Sequence, residues 1–283
     1  TARELIATLP AERPGYLHSF AVTERHVVLA IFPLVVNPLS LLLRAKPFIE
    51  NYRWRPELGT RFVVFDQQDG TVVADERTDA FFAFHHINAF DTEGGVAVDI
   101  CSYPDATVVD ALYLDRLRGD AELPLAFATR YEVDFGGRGI TSRRLTDDSL
   151  ELPRIAYGSH NGRDYRYAYG VGAHENGTQD FVNQLVKVDV RSGRTLKWHE
   201  PGRYPGEPVF VPAPGARAED DGVLLSVVLD GDAGRSGLLV LDAATFEEVA
   251  RAEVPHAIPF GFHGQFTAHR AGQPPIVGVS RRS

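Results

Sequence analysis

Three short segments of the sequence place histidine beside aromatic residues, and histidine can supply metal-binding chemistry. They cover residues 17–20 (LHSF), 84–88 (FHHIN) and 261–266 (GFHGQF). Histidine is the most common metal ligand among side chains, and a ligand must be held rigidly to set the coordination geometry. Consecutive strand residues point to opposite faces, so only one of His85 and His86 can face a given site. An isolated histidine in an apolar setting is more often a hydrogen-bonded core residue, so metal binding and ordinary packing both stay open.

Two glutamates stand beside prolines in apolar surroundings, Glu151 in the segment LELP and Glu207 in the segment YPGEP. A carboxylate is costly to bury unless it has a partner. The ring nitrogen of a ligating imidazole that is not on the metal usually donates to a carboxylate or a carbonyl. Histidines as ligands and glutamates as their hydrogen-bond partners would account for both sets. The spacing is not that of a zinc finger or of an H-E-x-x-H motif, so the metal site is a hypothesis at this point.

Size and composition narrow the class of protein. The chain has 283 residues, of which 44% are hydrophobic, so it can bury a full core. The net charge of −9 comes without a basic stripe, which argues against a nucleic-acid partner. A single cysteine, Cys101, cannot form an internal disulfide, so we expect a reducing compartment and a cytoplasmic protein.

The pattern of short apolar runs and turn residues predicts an all-β fold. Arg61–Asp66 and Thr71–Ala74 flank the strong hairpin signal Asp69-Gly70, and similar pairs continue to residue 254. Regular strand pairs of this kind are typical of an antiparallel meander in a sandwich, barrel or propeller. One convincing helix is predicted at 106–118. Because no low-complexity linker interrupts the pattern, we expect a single domain over residues 1–283.

The segment 33–43 (PLVVNPLSLLL) is strongly apolar and is interrupted by Pro38. Its eleven residues are too few to span a bilayer. One interpretation is a buried segment. The other is an exposed apolar patch that docks on a membrane or admits a greasy substrate.

Taken together, these motifs resemble the carotenoid cleavage oxygenase family, which includes apocarotenoid and stilbene cleavers and the retinal pigment epithelium retinoid isomerase. The resemblance runs nearly from end to end of the chain. The matching segments are 17–23 (LHSFAVT), 32–39 (FPLVVNPL), 47–54 (PFIENYRW), 81–91 (FFAFHHINAFD), 150–155 (LELPRI), 200–231 and 239–266.

The resemblance implies a seven-bladed β-propeller with a helical dome and a ferrous ion held on its axis by four histidines. Three of those ligands match His18, His85 and His263, with His85 chosen because the family ligand is the first histidine of its pair. Glu151 and Glu207 match the glutamates that orient His85 and His263.

The family's fourth histidine ligand and the glutamate that pairs with His18 lie upstream of the HSF motif. The first 17 residues contain no histidine, and the sequence contains no methionine. The resemblance therefore implies the C-terminal portion of a longer protein, with an incomplete propeller. We expect the 283-residue polypeptide alone to be inactive.

The implied activity is that of a non-haem iron(II)-dependent dioxygenase. Such an enzyme cleaves a conjugated carbon–carbon double bond of a carotenoid or apocarotenoid with O₂ and gives two carbonyl products. Phe20, Phe84 and Phe262 are candidates for the wall of an apolar substrate tunnel, with ordinary core packing as the alternative. A polyene ester isomerase or hydrolase of the same fold and a catalytically inactive lipid-binding propeller remain alternative functions.

The same resemblance favours the exposed interpretation of the apolar segment 33–43. In the family the equivalent region contributes to a hydrophobic patch at the tunnel mouth. We therefore expect Leu39, Leu41, Leu42 and Leu43 to form a patch that makes peripheral contact with a membrane.

Overall fold

The computed structural model describes residues 4–11, 13–43, 46–119 and 122–267. Strands dominate this part of the chain, and the predicted all-β class is correct. In chain order the strands are β1 (Ala21–Val22), β2 (His26–Ile31), β3 (Leu34–Val36), β4 (Tyr52–Trp54), β5 (Thr60–Asp66), β6 (Val72–Thr78), β7 (His86–Thr92), β8 (Gly95–Ser102), β9 (Phe127–Asp134), β10 (Ile140–Ser149), β11 (Glu151–Arg154), β12 (Tyr167–Gly172), β13 (Gln184–Asp189), β14 (Thr195–His199), β15 (Arg203–Pro205), β16 (Val209–Pro212), β17 (Gly222–Asp230), β18 (Arg235–Asp242) and β19 (Glu248–Val254).

Helices in the described residues are short and lie in connections between strands. The α-helices are α1 (Pro38–Leu43), α2 (Thr107–Ala111), α3 (Leu114–Leu117) and α4 (Tyr157–His160). Single 3₁₀ turns cover Phe48–Asn51, Pro56–Leu58 and His174–Asn176. Among the described residues, no helix is long and apolar enough to cross a membrane.

The strands form successive antiparallel meanders that resemble propeller blades. In the described part of the chain the four large sheets have the strand orders β1-β2-β5-β6, β7-β8-β9-β10, β11-β12-β13-β14 and β15-β17-β18-β19, with β16 also paired to β17. Strands β3 and β4 form a separate pair. Contacts between β1 and β7, β7 and β11, and β13 and β15 join each sheet to the next. The first strands of the first three sheets therefore contact one another in turn, whereas the fourth sheet contacts the third through β15 and β13.

The hairpin predicted around Asp69-Gly70 joins β5 to β6 as expected. Gly70 has a φ of 72°, and a Cβ atom there would lie 2.1 Å from the carbonyl oxygen of Ile6. The Asp69 carboxylate accepts a hydrogen bond of 2.8 Å from the backbone N–H of Thr71. Both features are those of a turn that only a glycine can complete without strain.

The prediction of one helix at 106–118 is wrong in part, because the segment forms the two short helices α2 and α3. Tyr113, between them, has an extended backbone with φ −66° and ψ 142°. Val108 is buried in the main core and also lines a large cavity, together with the more exposed Leu114 and Leu117. Tyr113 serves as the N-cap of α3, so the apolar spacing that predicted one helix continues across a break in the backbone.

Two buried ionic groups connect elements of the fold. Asp99 on β8 accepts hydrogen bonds from Arg130 on the neighbouring strand β9, at 2.8 and 2.7 Å, and one from the Tyr165 hydroxyl at 2.6 Å. Lys187 on β13 reaches the fourth sheet, where its Nζ donates to Asp220 at 2.6 Å and to the Ala243 carbonyl at 2.7 Å. Charges buried in this way are tolerated because nearly every polar atom has a partner.

Candidate metal centre

Three histidines from distant parts of the chain meet beside the starts of strands β1 and β7. One ring nitrogen from each of His18, His85 and His263 lies within 4.8 Å of the other two. The ring centroids of His18 and His85 are 5.0 Å apart, those of His85 and His263 are 4.9 Å apart, and both ring pairs are nearly perpendicular. The sequence predicts these three residues as ligands, and the structure brings all three together.

His85 lies directly before β7 and is oriented by a carboxylate. Its Nδ1 donates to Glu151 Oε2 at 2.6 Å, and the same oxygen accepts the backbone N–H of Leu152 at 2.8 Å. Glu151 is the first residue of β11, so the contact between β7 and β11 fixes the pair. Because Nδ1 carries the proton, Nε2 is left with a free lone pair that faces the other histidines.

His263 has the same arrangement in the segment after β19. Its Nδ1 donates to Glu207 Oε1 at 2.9 Å, and Glu207 Oε2 accepts the backbone N–H of Gly264 at 2.8 Å. Glu207 lies between β15 and β16, and its carboxylate is buried. The two glutamates predicted as partners therefore contact the two histidines to which the resemblance assigned them.

A divalent cation fits the electrostatics of this cluster. The Nε2 atoms of His85 and His263 are 3.2 Å apart, and both rings donate from Nδ1. Two neutral imidazoles in this orientation point lone pairs at each other, which is repulsive unless a proton or a cation lies nearby. Neutral imidazole is a good ligand for iron, zinc, copper and nickel. A carboxylate that accepts its N–H makes the other ring nitrogen more basic and so a stronger metal ligand.

His18 completes the cluster with a different partner. Its Nδ1 is 3.1 Å from the hydroxyl of Tyr16, which is a neutral group rather than a carboxylate. Burial lowers the pKa of His18, and the neighbouring imidazole of His85 lowers it further. The low pKa favours the neutral ring, which is the form that binds metal.

His86 points away from the cluster, as strand alternation requires. Its Nδ1 lies 2.7 Å from Ser19 Oγ, and the Ser19 hydroxyl donates its one proton to the Phe84 carbonyl at 2.8 Å. Burial lowers the pKa of His86 to about 3, so the ring is neutral at physiological pH. Ser19 thereby joins the segment that carries His18 to the segment that carries His85.

The histidine cluster opens into a cavity of about 670 Å³ with mainly apolar walls. Phe84 and Phe262 line this cavity, as predicted for tunnel residues. Phe20 does not line it, and the Phe20 side chain is exposed. Because Ser19 turns inward to the strand beside it, its neighbour Phe20 lies on the opposite face of the chain.

The predicted leucine patch is on the surface where the side chains are described. Leu39, Leu41 and Leu42 in helix α1 are 62, 38 and 82% exposed. Leu43 is the last residue of α1, and its side chain lies outside the described part of the chain. The first half of the apolar segment is different, because Leu34 and Val36 of strand β3 are buried. The segment is thus buried in its first half and exposed in its second half, and contact of the exposed half with a membrane stays a prediction.

Three residues with contacts in the centre received no role from the sequence, namely Tyr16, Ser19 and Arg154. Ser19 and Arg154 lie inside motifs that the sequence identifies, LHSF and LELPRI. The motif spacing could have drawn attention to them, but their partners come from other sheets. No sequence signal pairs Tyr16 with His18 beyond their separation of two residues.

Comparisons with known proteins agree with the motifs. Residues 2–268 match the sequence profile of the family described as retinal pigment epithelial membrane protein. The chain is 36% identical over 275 residues to carotenoid isomerooxygenase of Galleria mellonella, covering 91% of this chain and 53% of that protein. It is 40% identical over 263 residues to the chloroplastic carotenoid cleavage dioxygenase 8 homolog A of Oryza sativa subsp. japonica. That alignment covers 89% of this chain and 47% of the rice protein. The mitochondrial carotenoid-cleaving dioxygenase of Homo sapiens is 34% identical over 309 residues, with coverages of 92% and 52%.

Solved structures of ACO and of an ACO/RPE65 chimera are similar to this chain in fold. Cobalt-substituted Synechocystis ACO superposes with a TM-score of 0.82 at 28% identity, covering 90% of this chain and 53% of that one. An ACO/RPE65 chimera superposes with a TM-score of 0.80 at 27% identity, with coverages of 88% and 52%. The likeness confirms a partial all-β propeller. The chain spans about half the length of the curated relatives it matches.

Proposed function

The chain belongs to the carotenoid cleavage oxygenase family, which includes retinal pigment epithelial membrane protein, and on this premise we propose that the protein is a non-haem iron(II)-dependent dioxygenase. Its substrate is a carotenoid or an apocarotenoid, and cleavage of one conjugated double bond gives two carbonyl products. The observation that carries the proposal is the convergence of His18, His85 and His263, two of them backed by carboxylates, beside an apolar cavity.

Glu151 and Glu207 would orient two of the histidines that hold the iron. Ferrous iron, when bound, supplies the one-electron chemistry that a spin-allowed reaction with O₂ requires. Glu151 and Glu207 hold the Nδ1 protons of His85 and His263, so that both Nε2 atoms stay available to the metal. Buried carboxylates at these positions also balance part of the cation's charge.

The cavity gives the reason for a lipophilic substrate. A conjugated polyene is apolar and rigid, and it gains free energy by leaving water for a wall of aliphatic and aromatic side chains. Phe84 and Phe262 stand next to the ligands His85 and His263 in sequence and line the same cavity. They place an apolar surface directly beside the metal position.

Product analysis under ¹⁸O₂ tests the proposed reaction. The protein expressed from its complete gene is loaded with Fe²⁺ and mixed with a series of carotenoids and apocarotenoids. Labelled aldehydes or ketones are the expected products, and His85→Ala should abolish them. His174→Ala, a change at an exposed histidine outside the cluster, is the matched control and should retain activity.

Other products would assign a different function. Isomerised or hydrolysed polyene esters without label in a carbonyl would indicate an isomerase or a hydrolase of the same fold. Binding of a polyene without any turnover, in a protein that holds iron, would overturn the enzymatic proposal and favour an inactive lipid-binding propeller.

We also propose that Leu39, Leu41 and Leu42 dock the protein on a membrane surface, where its lipophilic substrate dissolves. Leu42→Glu should lower the fraction that floats with phosphatidylcholine–phosphatidylglycerol vesicles at least about fivefold, because one leucine side chain contributes about 1.5–3 kcal/mol on full burial. Leu196→Glu changes an exposed leucine on strand β14 and serves as the control. Equal flotation of both variants and wild type would contradict the proposal. The cytoplasmic location stays a prediction, since named relatives include chloroplastic and mitochondrial proteins.

A further inference from the structure

Arg154 ends strand β11 three residues after Glu151, and an irregularity between them lets both side chains face the histidine cluster. In a regular strand, residues three apart point to opposite faces. The register of β11 on β12 shifts between Glu151 and Arg154. Leu152, within the shift, has a φ of 45°, which is rare for a residue other than glycine. A bulge of this type re-aims side chains, and strained backbone of this kind is concentrated at functional sites.

The segment that carries His263 depends on side chains from elsewhere for its position. Residues 255–267 follow β19 and contain no strand or helix in the described structure, so we call them the strap. Arg154 donates from one terminal nitrogen to the Gly264 carbonyl at 3.0 Å and to Gln265 Oε1 at 3.3 Å. Glu207 accepts the Gly264 N–H from the other side. The residue after His263 is therefore held through both of its backbone polar groups.

Arg154 also acts on the carboxylate that orients His263. Its second terminal nitrogen lies 3.9 Å from Glu207 Oε1, and the two side chains are 13% and 4% exposed. Burying a carboxylate is costly unless hydrogen bonds or a positive charge compensate it. The guanidinium lies over the ring of Tyr157 at 5.1 Å, which limits its movement. The Arg154 guanidinium thus contacts both the strap and the Glu207 carboxylate.

We propose that Arg154 is a positioning residue for the metal centre, acting through His263. The guanidinium holds the strap in place by Gly264 and Gln265, and it lies beside the Glu207 carboxylate that accepts the hydrogen bond from His263 Nδ1. The inference rests on the proposed metal-binding function and adds a residue that does not touch the metal. Lysine would supply the charge but not the fork of donors that bridges two groups.

A double-mutant cycle on metal affinity tests the proposal. Co²⁺ is used as an oxygen-stable probe, and its dissociation constant is measured by chelator competition in the protein expressed from its complete gene. Arg154→Gln should weaken binding about tenfold, the lower end of the range for groups that orient metal ligands. Arg154→Lys should give a smaller loss. Arg143→Gln, an exposed arginine on β10, is the matched control and should bind Co²⁺ like wild type.

The His263→Ala background separates positioning from general stabilisation. If Arg154 acts through His263, adding Arg154→Gln to His263→Ala should change the dissociation constant less than about threefold, because interacting residues are not additive. Full additivity, or unchanged Co²⁺ affinity in Arg154→Gln and Arg154→Lys, would overturn the inference. If Arg154→Gln does not fold, the same test uses Arg154→Lys. Its effect on the Co²⁺ dissociation constant is then compared in the wild-type and His263→Ala backgrounds. Absence of Co²⁺ binding by the wild-type protein would overturn the proposed function itself.

Discussion

Replacing the two glutamates by glutamine should produce unequal losses of metal affinity, since the carboxylates use their oxygens differently. Glu207 uses both, with Oε1 accepting from His263 Nδ1 and Oε2 accepting from the Gly264 N–H. Glutamine offers one oxygen and one NH₂ group. In either orientation, the NH₂ group of Glu207→Gln faces an N–H donor, so one hydrogen bond is lost and a partly buried donor is left without an acceptor.

Glu151 uses a single oxygen for both of its hydrogen bonds. Its Oε2 accepts from His85 Nδ1 and from the Leu152 N–H, while Oε1 is buried without a hydrogen-bond partner among the described residues. The oxygen of Glu151→Gln can keep both bonds, and its NH₂ group can take the place of Oε1. Only the negative charge is lost.

The expected magnitudes follow from these geometries. Charge-assisted hydrogen bonds are about twice as strong as neutral ones, so Glu151→Gln should cost about 1 kcal/mol, or roughly fivefold in affinity. Glu207→Gln loses a hydrogen bond of about 1.5–3 kcal/mol and also leaves a donor unsatisfied. A total of about 3 kcal/mol corresponds to a loss of roughly 100-fold. Screening by solvent is small, since the side chains of Glu151 and Glu207 are 13% and 4% exposed.

Anaerobic chelator competition with Fe²⁺, repeated with Co²⁺, measures both affinities, and thermal unfolding of the metal-free proteins checks the fold. Glu219→Gln is the control, because Glu219 accepts backbone N–H groups of Arg166 and Tyr167 away from the cluster. A loss in Glu151→Gln equal to or larger than that in Glu207→Gln would refute the assignment of the carboxylate oxygens. Unchanged affinity in both variants would show that neither glutamate orients a ligand.

Three further predictions concern stability and the link between ligand segments. Lys187→Met should lower the free energy of unfolding, measured in urea, by about 3 kcal/mol. The substitution leaves the partly buried Asp220 carboxylate and the Ala243 carbonyl without their hydrogen-bond donor. A loss below about 1 kcal/mol would contradict this prediction. Burial raises the pKa of Tyr131 to about 12, so above pH 10 the unfolded chain releases this proton more readily than the folded one and stability falls as pH rises. Between pH 8 and pH 11 the wild type should therefore lose about 1.4 kcal/mol more than Tyr131→Phe, and equal losses would reject the shift. Ser19→Ala should weaken Co²⁺ binding about fivefold, since it removes the bond to the Phe84 carbonyl that joins two ligand segments; wild-type affinity would show that the bond is dispensable.

Local chemistry explains why much of the sheet structure could be predicted. The turn at Asp69-Gly70 depends on a glycine φ and on a side chain that bonds two residues along, and both are properties of neighbouring residues. The alternating burial of strand β2 likewise follows from its own period of two. The helix predicted at 106–118 failed at Tyr113, where an extended backbone separates α2 from α3 although the apolar spacing continues across it.

The histidine motifs were recognisable as chemistry, but their mutual distances were not. Alternation along a strand required that one of His85 and His86 face a site, without saying which. In the structure His85 meets Glu151 from the third sheet, and His86 meets Ser19 from the segment before the first. Those contacts depend on how the sheets are placed relative to one another.

By itself the sequence determined the all-β class, the family and the residue types of the candidate metal centre, because motifs and turn signals depend on short stretches of chain. The tertiary structure alone decided which lone pairs converge, which oxygens of Glu151 and Glu207 are occupied, and that Arg154 reaches the strap beside His263. These features depend on contacts between residues that are up to 178 positions apart, and no local pattern encodes such distances.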